Sequence, residues 1–479
     1  MPAEEVMPGA EAWPAEAMPS VDRAWLEMDM DKSPMVISAI LDLEGVGDLE
    51  VLQREILSRL MRHPRFAQQI DDSRRPSAWR RARDFEPAQH IGIRHVTERE
   101  LPAAVADEMR RGLDRERPLW HVTLFPVGER RVTVLFRAHH AMGDGVGFIQ
   151  LLLGLHDDVE APPPPLPALP RRGPLAPLIE RLQDVDASLL RLRGFLARSG
   201  EDPLGVLSQT VALGRDAATL VALLARGGER PQQFSAALSG HRAVAWSHEL
   251  PTTAAIKRAA HALGCTHNDL MLTALAGAFA HYLHSECRED IAPEQELRIA
   301  IPVNLRKCSD AMLSNRFGLG LLDLPVGIRD PHKRLAVVVE RTRRLKNSRE
   351  AHAVFIGLAV AGELPGRVER NLVGLIARKA CAVVSNLPGP EQSLHFAGAR
   401  IANIVFWPPQ SGGIGIGVSL LSYAGRSTLG ISSDVAVLRS PRVLLDAFVG
   451  ELEALLHEAA PARHTTRTTT RPRARRAKA

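Results

Sequence analysis

A strand-turn-helix unit built around two adjacent histidines constrains this chain more than any other stretch. Residues 132–136 are apolar and predict a buried strand, and residues 146–155 predict a helix. His139 and His140 lie at the end of that strand, and Asp144 follows four residues after the second histidine. Because side chains at a strand end can point into a cleft, the unit predicts sheets and helices that meet around two imidazoles.

The glycines around Asp144 give the turn its predicted geometry. Gly143 and Gly145 flank the carboxylate and allow the backbone to turn sharply, which would bring Asp144 back toward the imidazole. That arrangement is typical of a general base with an orienting group. The alternative is an exposed loop with two solvated histidines. The fixed spacing between strand and helix favours the functional interpretation.

Length and charge set broader limits. A chain of 479 residues predicts two domains. The net charge of +5 is located in residues 461–479, which carry seven Lys and Arg residues and no acid, so the rest of the chain is near −2 (5 − 7). This basic tail is predicted to be disordered, with attraction to anionic lipid headgroups as a secondary role. Nucleic acid is not an expected partner, because the remainder has no basic patch with interleaved aromatic residues.

Cysteine usage and the N-terminal residues bear on localisation. Cys265, Cys287, Cys308 and Cys381 are dispersed without CxxC spacing, which argues against zinc and a disulfide framework. Residues 1–20 contain no Lys or Arg and no long apolar core, so they do not predict a secretory signal. No apolar run reaches the length of a membrane-spanning helix. We therefore expect a cytoplasmic protein that contacts a membrane or lipid inclusion peripherally.

Composition divides the chain into five segments. The prolines that crowd residues 161–175 favour extended backbone and predict an interdomain crossover. The leucine-rich section 178–226 is helix-like, and either packs on the body or forms a lipid-docking surface. The predicted segments are a disordered leader (1–19), an N-terminal domain (20–160), the crossover with a variable helical region (161–240), a C-terminal domain (241–459) and the basic tail (460–479).

The second half also shows an alternation of helices and strands. Thr252 and Thr253 are predicted to cap one helix and Thr266 another, and the run from Ser385 to Pro390 is rich in turn-forming residues. Residues 398–407, 413–422 and 427–435 predict antiparallel strands.

Taken in order, these motifs resemble one known family. The chain is similar to the bacterial wax ester synthases/diacylglycerol acyltransferases, which belong to a superfamily of CoA-dependent acyltransferases with chloramphenicol acetyltransferase and the condensation domains of peptide synthetases. The histidine motif alone indicates the superfamily, and the ordered set indicates the family. The set consists of the segment from Ser20 to Met35, Pro118-Leu119-Trp120, the motif from His139 to Gly145, Asn268-Asp269, Pro302 to Arg306, Asp330-Pro331, Asn386 to Pro390, and Ser422-Tyr423.

The resemblance implies an α+β fold of two α/β-sandwich domains like those of chloramphenicol acetyltransferase, with the active site in a channel at their interface. It implies transfer of a long-chain acyl group from acyl-CoA to diacylglycerol, giving triacylglycerol, or to a long-chain alcohol, giving a wax ester. No metal or bound cofactor is expected, because proton transfer and oxyanion stabilisation suffice for this reaction. Oligomeric state and the preferred product remain open.

The resemblance also assigns roles to residues of the histidine motif. His140 would be the general base, His139 a supporting residue and Asp144 a structural organiser that pairs with an arginine, with Gly145 completing the motif. Arg306 is the candidate partner of Asp144. The alternative for Arg306 is an ordinary exposed charge.

Residues outside that motif are implied as supporting members of the site. Asn268 and Asp269 resemble the family's Asn-Asp pair, although a helix N-cap is a compatible alternative. Asn386 is a further supporting candidate. The oxyanion donor is not identified, with Ser385, Asn386 or a nearby backbone N–H as options.

Two other functions fit the same residues less well. The chain could be a condensation-type transferase that takes its acyl group from a carrier protein, although no carrier domain is recognisable in it. It could also be a lipid-surface protein that keeps the fold without activity, which intact His140 and Asp144 argue against.

Overall fold

The computed structural model describes residues 16–73, 77–157, 218–223, 225, 234–247, 249–306, 313–361, 379–410 and 412–459. The predicted proline-rich crossover, the basic tail and most of the leader and of the leucine-rich section lie outside these residues. The described part forms two six-stranded sheets with their helices and a small sheet of three strands, which is the predicted two-domain α+β fold.

Eleven elements of the first half build the N-terminal domain around one of these sheets. They are β1 (Glu16–Ala17), α1 (Ser20–Glu27), β2 (Val36–Glu44), α2 (Leu49–Leu60), β3 (Gln68–Asp71), β4 (Ala78–Arg81), β5 (Ile91–Ile93), α3 (Leu101–Met109), β6 (Trp120–Pro126), β7 (Arg131–His139) and α4 (Gly145–Gly154).

The second half contributes the second sheet and longer helices. Its elements are β8 (Arg242–Ser247), α5 (Thr253–Ala262), α6 (His267–Ser285), β9 (Leu297–Asn304), β10 (Phe317–Leu324), α7 (Pro331–Lys346), α8 (Glu350–Ala361), β11 (Ala382–Pro388), β12 (His395–Phe396), β13 (Ala399–Trp407), β14 (Ile416–Tyr423), β15 (Arg426–Asp434) and α9 (Pro441–Glu458).

Strand β7 brings the histidine pair to its position. It is paired on both sides, with β2 and β6, and every residue after Arg131 is buried. Its β-branched and apolar residues suit a central strand that is covered on both faces. The strand ends at His139, a single 3₁₀ turn carries His140 to Met142, and Asp144 then caps α4 by accepting from the N–H of Gly147 at 2.9 Å.

Two strands of the second half, β12 and β13, complete the first sheet. Strand β13 runs antiparallel to β2, so the first sheet has the order β12-β13-β2-β7-β6-β5 and the second has the order β10-β9-β11-β14-β15-β8. Residues 398–407 are therefore a strand, as predicted, but they lie in a different sheet from β14 and β15. The chain therefore enters the first sheet at β12 and β13 and returns to the second sheet at β14.

The predicted turn between Ser385 and Pro390 is wrong for most of its length. Strand β11 continues to Pro388, and each of its residues is paired in parallel with β14. Pairing along the whole strand outweighs the local turn propensity of these residues. The chain turns only beyond Pro388, where Gly389 passes so close to β14 that an added Cβ would lie 2.3 Å from the carbonyl oxygen of Ser422.

The sequence pattern also missed elements, including β3, β4, β10 and α8. Strand β10 and helix α8 pack closely, since a Cβ on Gly318 would lie 1.7 Å from the carbonyl oxygen of Ala351. Among the described helices, none combines the length and apolar character required to cross a bilayer.

Candidate active site

The backbone of His140 is held from both halves of the chain. Its N–H donates to the carbonyl of Met35, the residue just before β2, at 2.7 Å. Its carbonyl accepts from the Asn315 Nδ2 amide at 2.8 Å, just before β10. The residue is therefore fixed at the junction of the two domains, where the predicted fold places the reaction.

The imidazole of His140 is enclosed by aromatic rings. The centroid of Trp25 lies 4.5 Å from it and that of Phe317 lies 5.3 Å from it. The residue is 4% exposed. Burial disfavours the charged ring and lowers the pKa of His140 to about 4, against a smaller opposing effect from the Asp144 charge. The imidazole is therefore neutral near pH 7 and able to accept a proton.

His139 is buried beside it and makes different contacts. Its Nδ1 accepts from the N–H of Ala141 at 3.1 Å, so the ring proton lies on Nε2, which faces the Asp29 carboxylate at 3.5 Å. Asp29 also accepts from the N–H of Met35 at 2.7 Å. Burial would raise the pKa of Asp29, but the contact with His139 and the bond from Met35 hold it below its usual value. These contacts link His139 to the backbone of Ala141 and, through Asp29, to that of Met35.

Asp144 faces the second half of the chain. Its carboxylate accepts from Arg306 Nη2 at 2.7 Å and from the N–H of Arg316 at 3.0 Å. The predicted pair with Arg306 is thus present, and it is buried, with exposed side-chain fractions of 2% and 9%. The expectation from local spacing, that the carboxylate turns back toward the imidazole, is wrong because these N–H donors and that of Gly147 occupy it.

The two glycines of the motif differ in their surroundings. A Cβ on Gly143 would lie 3.2 Å from the Cα of Leu313, so this residue lets the turn approach the second half. A Cβ on Gly145 would have nothing within 4 Å. Gly145 is the first residue of α4, and a larger side chain would fit at this position.

The predicted supporting residues form a group of their own. Asp269 makes a capping box with Thr266 at the start of α6 and accepts from Thr342 Oγ1 at 2.6 Å. Asn386 on β11 donates from Nδ2 to Asn268 Oδ1 at 3.0 Å. The N-cap of α6 is Thr266, and Asp269 takes part in the capping as the N3 residue, while Asn268 and Asn386 join α6 to β11.

The sequence patterns give no role to Asn315, which contacts the backbone of His140, or to Asp22, which contacts Asn315. Asn315 was visible within the segment from Ser314 to Phe317, and Asp22 within the first helix, but neither has a local pattern that indicates its function. Asn315 donates to Asp22 Oδ1 at 2.8 Å across a separation of 293 residues. A contact between residues so far apart can be recognised in the folded chain but not from the spacing of residues within a motif.

Two family models match the chain in succession. A model of the wax ester synthase/diacylglycerol acyltransferase catalytic domain matches residues 18–271, and a model of the C-terminal domain of the same family matches residues 313–456. The first of these spans more than half of the chain and includes the histidine motif.

Curated proteins are similar over nearly the whole length. A probable diacylglycerol O-acyltransferase of Mycobacterium tuberculosis is 27% identical over 430 residues, covering 86% of this chain and 89% of that protein. A putative diacylglycerol O-acyltransferase of the same organism is 25% identical, covering 95% of this chain and 92% of that protein.

Solved structures show the same fold. The wax ester synthase/diacylglycerol acyltransferase from Marinobacter aquaeolei VT8 aligns with a TM-score of 0.64 at 20% identity, covering 93% of this chain and 99% of that chain. The first condensation domain of the calcium-dependent antibiotic synthetase aligns with a TM-score of 0.58 at 17% identity, covering 95% and 98%.

Proposed function

Because the chain belongs to the wax ester synthase/diacylglycerol acyltransferase family, we propose that it transfers a long-chain acyl group from acyl-CoA to diacylglycerol or to a long-chain alcohol. The observation that carries the proposal is an intact histidine motif, within the matched catalytic domain, whose second histidine is buried and neutral where the two halves meet.

His140 acts as the general base in the proposed reaction. The acceptor hydroxyl oxygen attacks the thioester carbonyl carbon while the imidazole takes the hydroxyl proton. The tetrahedral intermediate then collapses, the carbon–sulfur bond breaks, and the departing thiolate takes the proton from His140. The products are an oxygen ester and free CoA, and the imidazole returns to its neutral form. The reaction so written needs no metal or bound cofactor.

The other residues of the motif hold this base in place. His139 anchors the turn through Ala141 and Asp29, and Asp144 fixes the start of α4 to Arg306 in the second half. Asp144 is therefore proposed as a structural organiser, since its carboxylate is taken up by N–H donors. Asn268 and Asn386 are proposed to support the site from α6 and β11.

Peripheral contact with a membrane or lipid inclusion belongs to the same proposal. Diacylglycerol and long-chain alcohols partition into lipid, so an enzyme that uses them must meet a lipid surface. Flotation of the protein with vesicles that contain diacylglycerol would test this contact directly. Recovery of the protein in the floated fraction supports it, and its recovery in the unbound fraction contradicts it.

The proposed activity is tested by supplying the purified protein with a long-chain acyl-CoA and both acceptors in competition. Release of free CoA thiol and formation of triacylglycerol or wax ester are measured together. Formation of either ester supports the proposal, and the ratio of the two esters shows the preferred acceptor. If esters form only when the acyl group is carried by an acyl carrier protein, the condensation-type alternative is correct. If no donor gives an ester while vesicles still bind, the protein is an inactive lipid-surface protein.

A further inference from the structure

We propose that the indole of Trp25 stabilises the positive charge that His140 acquires during proton transfer, and that Phe317 holds the indole in place. The proposal rests on the proposed role of His140 as the general base. Trp25 and Phe317 are then positioning residues, because each acts through the imidazole and not on the substrate itself.

The three rings form one cluster. The centroids of Trp25 and Phe317 lie 4.5 and 5.3 Å from that of His140, and they lie 5.4 Å from each other. Two rings on opposite sides of the imidazole would lie much further apart. Both rings therefore contact His140 from the same side, and the other side of the imidazole is not covered by them.

Trp25 presents the face of its indole to the imidazole. The planes of the two rings are inclined by 31°, whereas an edge-to-face pair has planes close to perpendicular. Their separation is also at the short end of the range of about 4.5–7 Å that aromatic pairs adopt. The face of an aromatic ring carries the negative part of its quadrupole and attracts a cation within about 6 Å of the centroid. A protonated His140 would lie within this distance.

Phe317 fixes the position of the indole. Its ring stacks on that of Trp25 with an angle of 13° between the planes, and both residues are buried. Among the described residues, the Nε1 atom of Trp25 has no hydrogen-bond partner, so packing and not hydrogen bonding determines where the indole lies. Trp25 belongs to α1 and Phe317 begins β10, so the stack forms only when the two halves of the chain meet.

The carboxylates near the imidazole are occupied by other groups. Asp144 accepts from Arg306 Nη2 at 2.7 Å, so the arginine offsets its charge. Asp22 and Asp29 also have partners of their own in neighbouring residues. Burial disfavours the charged ring of His140 more than the Asp144 charge favours it. The imidazolium therefore depends on uncharged neighbours, and indole is the aromatic ring that attracts cations most strongly.

The timing of this attraction suits catalysis. The resting imidazole is neutral, so the indole face gains its cation only as the hydroxyl proton is transferred. An interaction that is stronger in the transition state than in the resting complex raises kcat. Cation–π attraction is also strongest where the cation is shielded from water, as it is for the buried ring of His140.

A series of fluorinated tryptophans at position 25 separates this electrostatic effect from packing. Fluorine atoms withdraw negative charge from the ring face and change the size of the indole little, so one, two and three fluorines weaken the attraction progressively. The matched control is the same series at Trp407, which is also fully buried and whose Nε1 also has no hydrogen-bond partner among the described residues. The ring of Trp407 packs against that of Trp246, with centroids 5.7 Å apart. Trp25→Leu removes the indole altogether.

We measure kcat and KM for ester formation, and the pKa of His140 by NMR of protein with isotope-labelled histidine. The signal that is absent from His140→Gln identifies the residue. With three fluorines kcat should fall about tenfold, and in Trp25→Leu about 30-fold, the size of a desolvated cation–π interaction. KM should stay within about twofold, because the ring is charged only in the transition state. The pKa of His140 should fall along the same series, since a weaker ring face favours the neutral imidazole.

In a protein that forms ester, a constant kcat or a constant His140 pKa along the Trp25 series overturns the proposal. A fall in kcat with an unchanged pKa would show disturbed packing, and an equal response at Trp407 would show an effect that is not specific to the cluster. If Trp25→Leu does not fold, the fluorinated series decides alone. The proposed function is judged separately. If the pKa of His140 responds but no acyl donor gives an ester, the stabilisation of charge by Trp25 stands and the proposed function fails.

Discussion

Arg306 donates from Nη2 to the Asp144 carboxylate at 2.7 Å, and these two residues come from opposite halves of the chain. Asp144 also caps α4 and accepts from the N–H of Arg316. One buried carboxylate therefore connects the helix after the histidine turn to the segment before β10, which carries Asn315. Formation of the histidine turn and docking of the two domains are therefore coupled through this pair.

Breaking this pair should destabilise the whole fold. Arg306→Ala leaves the buried carboxylate without its counter-charge, and we expect a loss of about 3–5 kcal/mol in the free energy of unfolding, measured with urea. The control is Arg442→Ala, which breaks an exposed pair with Asp446 one helical turn away and should cost less than about 0.5 kcal/mol. Equal losses in the two variants would show that the Asp144 pair does not hold the domains together.

The two motif glycines should respond differently to alanine. Gly143→Ala forces a Cβ toward the backbone of Leu313, so we expect the free energy of unfolding to decrease by about 1–3 kcal/mol and turnover to fall. Gly145→Ala meets open space at the first position of a helix and should leave stability and turnover almost unchanged. Thermal unfolding and free CoA release measure both effects. Similar damage from the two substitutions would contradict this view of the turn.

Turnover should persist at pH values that protonate an ordinary histidine. Because burial lowers the pKa of His140 to about 4, the base is neutral across the physiological range, and kcat/KM should decline on the acid side only as pH approaches that value. The profile is measured from pH 4 to 8, with each sample returned to pH 7 to exclude irreversible unfolding. An acid limb between pH 6 and 7 would show an exposed or charged imidazole.

The lowered pKa of His140 also predicts how the stability of the fold depends on pH. The folded pKa of His140 is about 4 and the unfolded value is near 6.5, so between these values the unfolded chain binds the extra proton. Stability should therefore fall as pH decreases from about 6.5 to 4, and His140→Gln should reduce that decrease. Urea unfolding at several pH values measures the difference. An identical pH dependence in the two proteins would contradict the assigned shift.

Asp29 should stabilise the fold most at pH values above its pKa. Asp29→Asn turns an amide N–H toward His139 Nε2, which cannot accept it without placing a proton on Nδ1 against the N–H of Ala141. We expect the free energy of unfolding to decrease by about 1–3 kcal/mol at pH 7. Since folding lowers the pKa of Asp29, its contribution is present above pH 4 and fades as pH falls further. Asp446→Asn, at an exposed position, is the control, and an equal effect of both would refute this role.

The part of the site that lies within one stretch could be predicted from sequence. The strand before His139, the helix after Asp144, and the caps at Thr252 and Thr266 all follow from patterns within a few residues. The pair between Asp144 and Arg306 is predicted only through the resemblance to a family, since no local pattern relates residues that are 162 positions apart.

The rest depends on contacts that local patterns do not encode. Strand β11 contains Ser385, Asn386, Leu387 and Pro388, which favour a turn, and it is held as a strand by pairing with β14. Strand β13 lies in the first sheet because it pairs with β2, and the sequence of β13 does not indicate this partner. Asn315 is likewise unremarkable by type, and its significance arises from meeting Asp22 and His140 in the folded chain.

Turnover by His140→Gln tests the central claim most directly. The substitution keeps a polar side chain of similar size and removes the proton acceptor, so it should preserve the unfolding temperature while lowering kcat for ester formation by about 10²–10⁴-fold. Free CoA release and ester yield are measured with acyl-CoA and both acceptors. A folded His140→Gln protein that forms ester at the rate of the unchanged protein would contradict the assignment of His140 as the base.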